Sequence, residues 1–323
     1  MRATGRDIVE LFGYSPDDTS EEAYQAWKAS RCPFSGQSCT KWNHDQSKIY
    51  GTCSVSLGVS REVGSEVVIC PTRIYANDFE VLKMVAQTVW PSVPTVLVGG
   101  SAHELRVRMA RVNEAVVAFG RNSVSEVQVD SGGQMSFDWV LQRYEVGSSS
   151  RAMEPRDFVA IEVQSIDTTG NYRENLAAYG ALKAGKTVRA IPPSLHGLNW
   201  ANVHKRLIPQ LVRKGSLVGM CERSKGFFFI VPKVVFQKFQ EVIGPLQSRD
   251  RHARGNISIL QVSLGPDAGV GARRSLVAHP MVHYSQEELA RASIRSGTEE
   301  AARSLDLQLR SMISPRSLFE LES

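Results

Sequence analysis

The spacing of apolar positions changes several times along the chain, and each change marks an expected element. Residues 6–13 and 20–30 are patterned as helices, whereas 31–75 is polar, with short strands expected between loops. A helix is expected over 77–90, then a buried strand over 95–98 that ends at Gly99-Gly100. From Glu104 the apolar residues Leu105, Met109, Val112, Val116 and Phe119 step by four, three, four and three, which predicts an amphipathic helix.

The period then becomes two. Val127 and Val129 alternate with Glu126, Gln128 and Asp130; beyond Ser131-Gly132-Gly133, Met135, Phe137, Trp139 and Leu141 alternate with Ser136, Asp138, Val140 and Gln142. This pattern predicts a hairpin with Asp138 on the face opposite the aromatic residues. Residues 157–166 are apolar almost throughout, as a central strand requires. Helices are expected at 172–184 and 200–214, a Phe-rich strand at 226–231, a helix from Pro232 and a strand over 256–264. Ser285-Gln286-Glu287-Glu288 reads as a capping box opening a C-terminal helix. There is no internal repeat. The element order predicts an α/β fold with a mixed central sheet, not a doubly wound parallel one.

With 323 residues and 42% hydrophobic composition, the chain can bury the core of one large or two small domains. Residues 201–254 hold eleven Lys or Arg against Glu222, Glu241 and Asp250, a local net of +8 against +5 for the whole chain. Such a segment suits either a polyanion partner, most simply nucleic acid, or a solvated basic surface. Lys205, Arg206, Arg213 and Lys214 are its candidate phosphate contacts. The opening MRATGRDIVELFGY has no apolar signal region, and no apolar run approaches the roughly 18 residues of a span, so a cytoplasmic chain without membrane contact is expected. Val98-Gly99-Gly100-Ser101 lacks the Gly-Lys-Ser/Thr of a phosphate-cradling loop, so no nucleotide cofactor is expected.

Two groups of residues carry chemistry. Cys32, Cys39, Cys53 and Cys70 fall in the polar stretch, beside turn-forming residues whose N–H groups can face sulfur. They read as four ligands of one tetrahedral metal, for which iron and zinc are equally suited. Disulfides would need an oxidising compartment; four unrelated buried thiols are the remaining alternative. The second group begins with Glu162 and Gln164, which project from one face of an otherwise apolar strand. A carboxylate buried there is costly unless something pairs with it, and Asp138 poses the same problem in the preceding hairpin. If the strands pair, both carboxylates can converge on one divalent cation, with Glu126 as a third. Hard oxygen ligands suit Mg²⁺, which can acidify a water and stabilise a phosphodiester transition state. A salt-bridged structural Glu162 is the competing explanation.

Cys32-Pro33-Phe34, Ser38-Cys39-Thr40-Lys41, Gly51-Thr52-Cys53-Ser54-Val55 and Ile69-Cys70-Pro71 together resemble the metal loop of the NotI restriction endonuclease family. Ser136-Phe137-Asp138-Trp139 and Ile161-Glu162-Val163-Gln164, then Gly170-Asn171-Tyr172, resemble its active-site strands, with weaker similarity through Asn202–Arg206 and Gly226–Pro232. The resemblance implies a PD-(D/E)xK nuclease fold with an N-terminal metal-binding region built on four cysteines. It also implies a homodimeric prokaryotic type II enzyme that cuts double-stranded DNA at a GC-rich palindrome with Mg²⁺. Asp138 and Glu162 become the magnesium ligands, Gln164 replaces the usual lysine, Glu126 is the additional acid, and the four cysteines hold one structural iron. The expected division is 1–76 for the helical and cysteine-bearing region and 77–323 for the catalytic and DNA-binding part, packed as one unit. A metal-stabilised DNA-binding protein without catalysis and a structure-directed repair nuclease are the alternatives.

Overall fold

The computed structural model describes residues 5–42, 47–58, 65–120, 127–130, 134–147, 152–202, 206–253, 255–295 and 298–312. The first part runs β1 (Ile8–Leu11), α1 (Glu21–Ala29), β2 (Thr52–Ser56), β3 (Glu66–Val68), α2 (Pro71–Ile74) and α3 (Ala76–Val89). The middle runs β4 (Val96–Val98), α4 (Ala102–Met109), β5 (Glu114–Gly120), β6 (Val127–Asp130), β7 (Gln134–Phe137), β8 (Trp139–Val146), β9 (Met153–Val163), β10 (Thr168–Thr169) and α5 (Arg173–Lys183). Then come β11 (Gly197–Leu198), α6 (Trp200–Asn202), α7 (Ile208–Met220), β12 (Ser224–Pro232), α8 (Lys233–Ile243) and β13 (Asn256–Leu264). β14 (Leu276–Ala278), β15 (Val282–Ser285), α9 (Gln286–Arg295) and α10 (Thr298–Met312) complete the order.

The fold is mixed α/β. An eight-stranded sheet has the order β14-β13-β12-β9-β8-β5-β4, with β15 also pairing β13. β9, β12 and β13 are parallel, β8 is antiparallel to both β5 and β9, and β4 lies parallel to β5. Helices cover both faces. Ala160, Phe227, Phe229 and Ile257 pack with Leu211, Val218, Phe236, Phe239 and Leu289 on one side. Val159, Ile161, Phe228 and Leu260 pack with Leu82, Val85 and Trp139 on the other. Covering both faces explains why β9, β12 and β13 are nearly all apolar.

Several expectations are corrected. Residues 8–11 form a strand paired with β2, not a helix; four buried residues, IVEL, are too few for helical periodicity to be diagnostic. The helix expected from 104 to 119 stops at Met109, and β5 follows. Val112, Val116 and Phe119 imitate a helical stripe, but Ala115–Ala118 are buried without interruption, as a strand covered on both faces must be. The expected hairpin divides at Asp138. β6 and β7 form a separate two-stranded sheet, while β8 belongs to the large one. Phe137 and Trp139 consequently join opposite hydrophobic clusters. The capping serine survives: Ser285 Oγ accepts from Glu288 N at 3.4 Å.

The N-terminal region is completed by later chain. Ile8, Leu11, Phe12, Cys32 and Cys39 share a small core with Tyr172, Leu176, Tyr179 and Ile191. Asp7 accepts hydrogen bonds from Asn175 Nδ2 at 2.8 Å and Tyr179 Oη at 2.7 Å. Among the described residues no helix is long and apolar enough to cross a membrane.

Candidate active site and cysteine cluster

β8 and β9 pair antiparallel with Trp139 opposite Ile161, so Asp138 and Glu162 come next to each other where the ladder ends. Beyond that pair, Val163 N donates to Asp138 Oδ2 at 2.9 Å, the carboxylate taking the place of a strand carbonyl. In return the Asp138 backbone N–H donates to the Glu162 carboxylate. Gly120 at the end of β5 permits this arrangement, because a Cβ there would collide with the Asp138 carbonyl and the Trp139 ring. Asp138 is half-buried and Glu162 is 5% exposed.

The two carboxylates compete for negative charge. The Glu162 carboxyl is pushed up to about 7, first by burial and then by the Asp138 charge, against the opposing pull of Lys214. Lys214 Nζ stands 2.6 Å from Glu162 Oε2. Expected as a phosphate contact, Lys214 is instead 8% exposed and turned into the sheet. The signal for this was present in α7, where Leu211, Lys214, Gly215 and Val218 form one buried stripe, with lysine at a position spaced for an apolar residue. Arg206 and Arg213 are exposed, as phosphate contacts would have to be.

Gln164 is half-buried; its N–H donates to Ile230 O and its Nε2 to Ser165 O, both at 3.0 Å. The structure thus brings Asp138 and Glu162 together and leaves Gln164 on the adjoining backbone. Glu126 and Lys205 lie outside the described residues.

Cys32, Cys39, Cys53 and Cys70 are all buried free thiols. They influence one another: burial pushes the Cys39 thiol up to about 11, with further upward contributions from Cys70 and Cys32, while the Lys41 backbone N–H opposes them. Burial also raises Cys53 strongly, reinforced by Cys70 and then Glu10. Lys41 N lies 3.5 Å from Cys39 Sγ, a backbone donor aimed at sulfur. Among the described residues no three His, Cys, Asp or Glu side chains are arranged to hold a metal ion. Thiolates as a residue type suit a soft or borderline metal, so a cysteine metal site would rest on donor chemistry and not on the arrangement seen.

Beside the cysteines lies an ion pair that no local sequence signal announces. Arg73, three residues after Cys70, is fully buried and grips Glu10 through Nε and Nη2, each at 2.9 Å. Ser54 Oγ donates to the same carboxylate at 2.8 Å, and Arg73 Nη2 reaches Arg274 O at 2.7 Å.

Several other polar features have local partners, although Trp139 Nε1 and Asn256 Oδ1 are buried with no hydrogen-bond partner among the described residues. A cavity of about 690 Å³ lined by Trp90, Arg143, Asp157, Lys225 and His252 opens at the far end of β9 and β12 from Glu162. Its central charge is already neutralised, since Arg143 is held by Asp157, Glu114 and Glu145. His279 and His283 pair separately with Ser263 and Ser258, each at 2.9 Å, rather than with each other. Phe227 and Phe229 are core residues, and Cys221 donates to Leu217 O at 3.4 Å.

Compared with known families and characterised proteins, the chain matches no family model and no curated relative.

Proposed function

We propose that the chain is a Mg²⁺-dependent type II restriction endonuclease of the PD-(D/E)xK kind, cutting double-stranded DNA at a GC-rich palindrome as a homodimer. The observation that carries this reading is the meeting of Asp138, between β7 and β8, with Glu162 of β9 at the end of an otherwise apolar ladder. Two adjacent carboxylates held by backbone donors are unfavourable alone and suited to a divalent cation. When bound there, such a cation would supply Lewis-acid polarisation of a phosphate oxygen and a more acidic water. Asp138 and Glu162 would hold it, while the Gln164 amide could orient a water by hydrogen bonding without adding charge. Arg206 and Arg213 would bind backbone phosphates, giving an affinity that falls with salt. Cys32, Cys39, Cys53 and Cys70 would hold one structural iron or zinc that takes no part in the chemistry. A two-fold dimer would match a palindrome, one subunit per strand.

A second reading, a metal-stabilised DNA-binding protein without catalysis, has one observation in its favour: Lys214 already neutralises Glu162. Digestion of plasmids of known sequence with Mg²⁺, followed by mapping of the ends, separates the two. The nuclease reading expects discrete ends at one repeated site and their loss in Glu162→Ala. No cutting by the wild-type protein would leave the binding protein as the answer, and cutting only at branches or lesions would indicate a repair nuclease.

A further inference from the structure

Lys214 is the unexplained charge of the site. It projects from the core-facing stripe of α7, where Leu211, Gly215 and Val218 are its buried neighbours. Gly215 keeps that helix close to the sheet: a Cβ there would stand 3.2 Å from Ile257 Cδ1. The close approach carries the ammonium to 2.6 Å from Glu162 Oε2 and to 5.7 Å from the centre of the Phe137 ring. Phe137 immediately precedes Asp138, so the same ammonium touches both strands of the carboxylate pair. An ordinary phosphate-binding lysine would lie on the exposed face, where Arg213 is found. A desolvated ammonium is retained only where it offsets a charge that is itself buried.

We infer that Lys214 is a positioning residue of the cation site: it clamps Glu162 beside Asp138 and occupies the oxygen that a divalent cation would use, so cation and ammonium compete. The inference rests on the reading of Asp138 and Glu162 as a cation site. The competition makes two effects of removing Lys214 run in opposite directions. Without a cation the protein loses the counter-ion of a buried carboxylate and becomes less stable. With a cation it loses a competitor and binds more tightly.

The test is calorimetric titration of Mn²⁺ and Mg²⁺ into purified, DNA-free full-length protein, with melting measured in chelator and in excess cation. Wild type is compared with Lys214→Met, with Glu162→Gln to identify the site. Lys214→Met should bind cation about tenfold more tightly or better. It should also melt below wild type in chelator and recover in excess Mn²⁺. Unchanged affinity, with melting lowered equally in both conditions, would make the pair purely structural and overturn the inference. If Lys214→Met does not fold, the neutral pair Lys214→Met/Glu162→Gln should restore folding and bind no cation at this site; wild-type binding by that double variant would also overturn it. Wild-type protein that neither binds Mg²⁺ nor cuts DNA rejects the nuclease reading and this inference together. Wild type that binds and cuts, with Lys214→Met unchanged, rejects only the inference.

Discussion

Asp138→Asn is the substitution that best separates chemistry from architecture. The wild-type carboxylate accepts from Val163 N at 2.9 Å, a charge-assisted bond worth about 1.5–3 kcal/mol. Asparagine keeps a carbonyl oxygen at the same place, and a neutral bond there retains about 1 kcal/mol. It also removes the charge that, after burial, does most to raise the Glu162 carboxyl, an effect in the stabilising direction. The two changes offset, so folding stability should shift by less than about 1 kcal/mol. Cutting should fare differently. With Asp138 as one of the two hard ligands of the proposed site, its loss would remove about 4 kcal/mol or more of transition-state stabilisation, about a thousandfold in rate. Asp138→Ala is the control, because it leaves the Val163 N–H without its acceptor and should cost about 1–3 kcal/mol in addition. Urea denaturation, DNA binding by fluorescence anisotropy without divalent cation, and Mg²⁺-dependent cleavage measure the three quantities. Asp138→Asn protein that melts like wild type and cuts within tenfold of it would refute the assignment of Asp138 as a ligand.

Four other substitutions test the rest of the structure. Arg73→Met strands a buried Glu10 carboxylate and should cost about 3–5 kcal/mol in urea denaturation; a loss under about 1 kcal/mol would mean the pair is not the clamp described. Asn77, Asp78 and Phe79 are consecutive non-glycine residues with φ of 56°, 55° and 60°, so Asp78→Gly should raise the melting point, by about 0.5–1 kcal/mol equivalent, and a clear decrease would count against the left-handed turn. The Glu162 carboxyl titrates higher folded (about 7) than unfolded, so the metal-free folded state holds the extra proton between the two values. Its contribution to stability is therefore full at low pH and lost as pH rises through about 7; Glu162→Gln should remove that decline, and parallel pH profiles would argue against it. Cys39→Ser should lower both melting point and the iron or zinc content of purified protein, and normal values of both would dismiss the proposed metal site.

How legible each element was depended on whether one period dominated. β13 was expected over 256–264 and occupies those residues, because its apolar run is bounded clearly on both sides. β5 was hidden because the stripe of α4 continues into it with helical spacing, and only the unbroken burial of Ala115–Ala118 separates the two. The helix expected at 200–214 divides into the short α6 (Trp200–Asn202) and α7 (Ile208–Met220), with Pro209 in the first turn of α7, where a missing N–H costs nothing. Asp138 and Glu162 were legible as polar interruptions in apolar strands. Lys214 could have been found by the same reasoning applied to a helix, but its place in a basic run suggested phosphate instead. The Glu10–Arg73 pair is not legible, since its members are 63 residues apart and no local spacing links them.

The break between β7 and β8 explains why Asp138 and Glu162 meet at this end of the ladder. Had β7 continued β8 in register, a main-chain carbonyl near Phe137 would have taken the Val163 N–H, and Asp138 would have remained a strand side chain facing one cluster or the other. By leaving the large sheet at Asp138, the chain gives that N–H to a side chain and turns Phe137 and Trp139 to opposite cores. The turn is possible because Gly120 offers no Cβ to the Asp138 carbonyl. Asp138 and Glu162 are therefore oriented by backbone donors at the end of a ladder whose hydrophobic faces are independently satisfied. Carboxylates held in that way can change partner with little change in the fold, which is the condition under which Lys214 and a divalent cation would be alternative partners of Glu162.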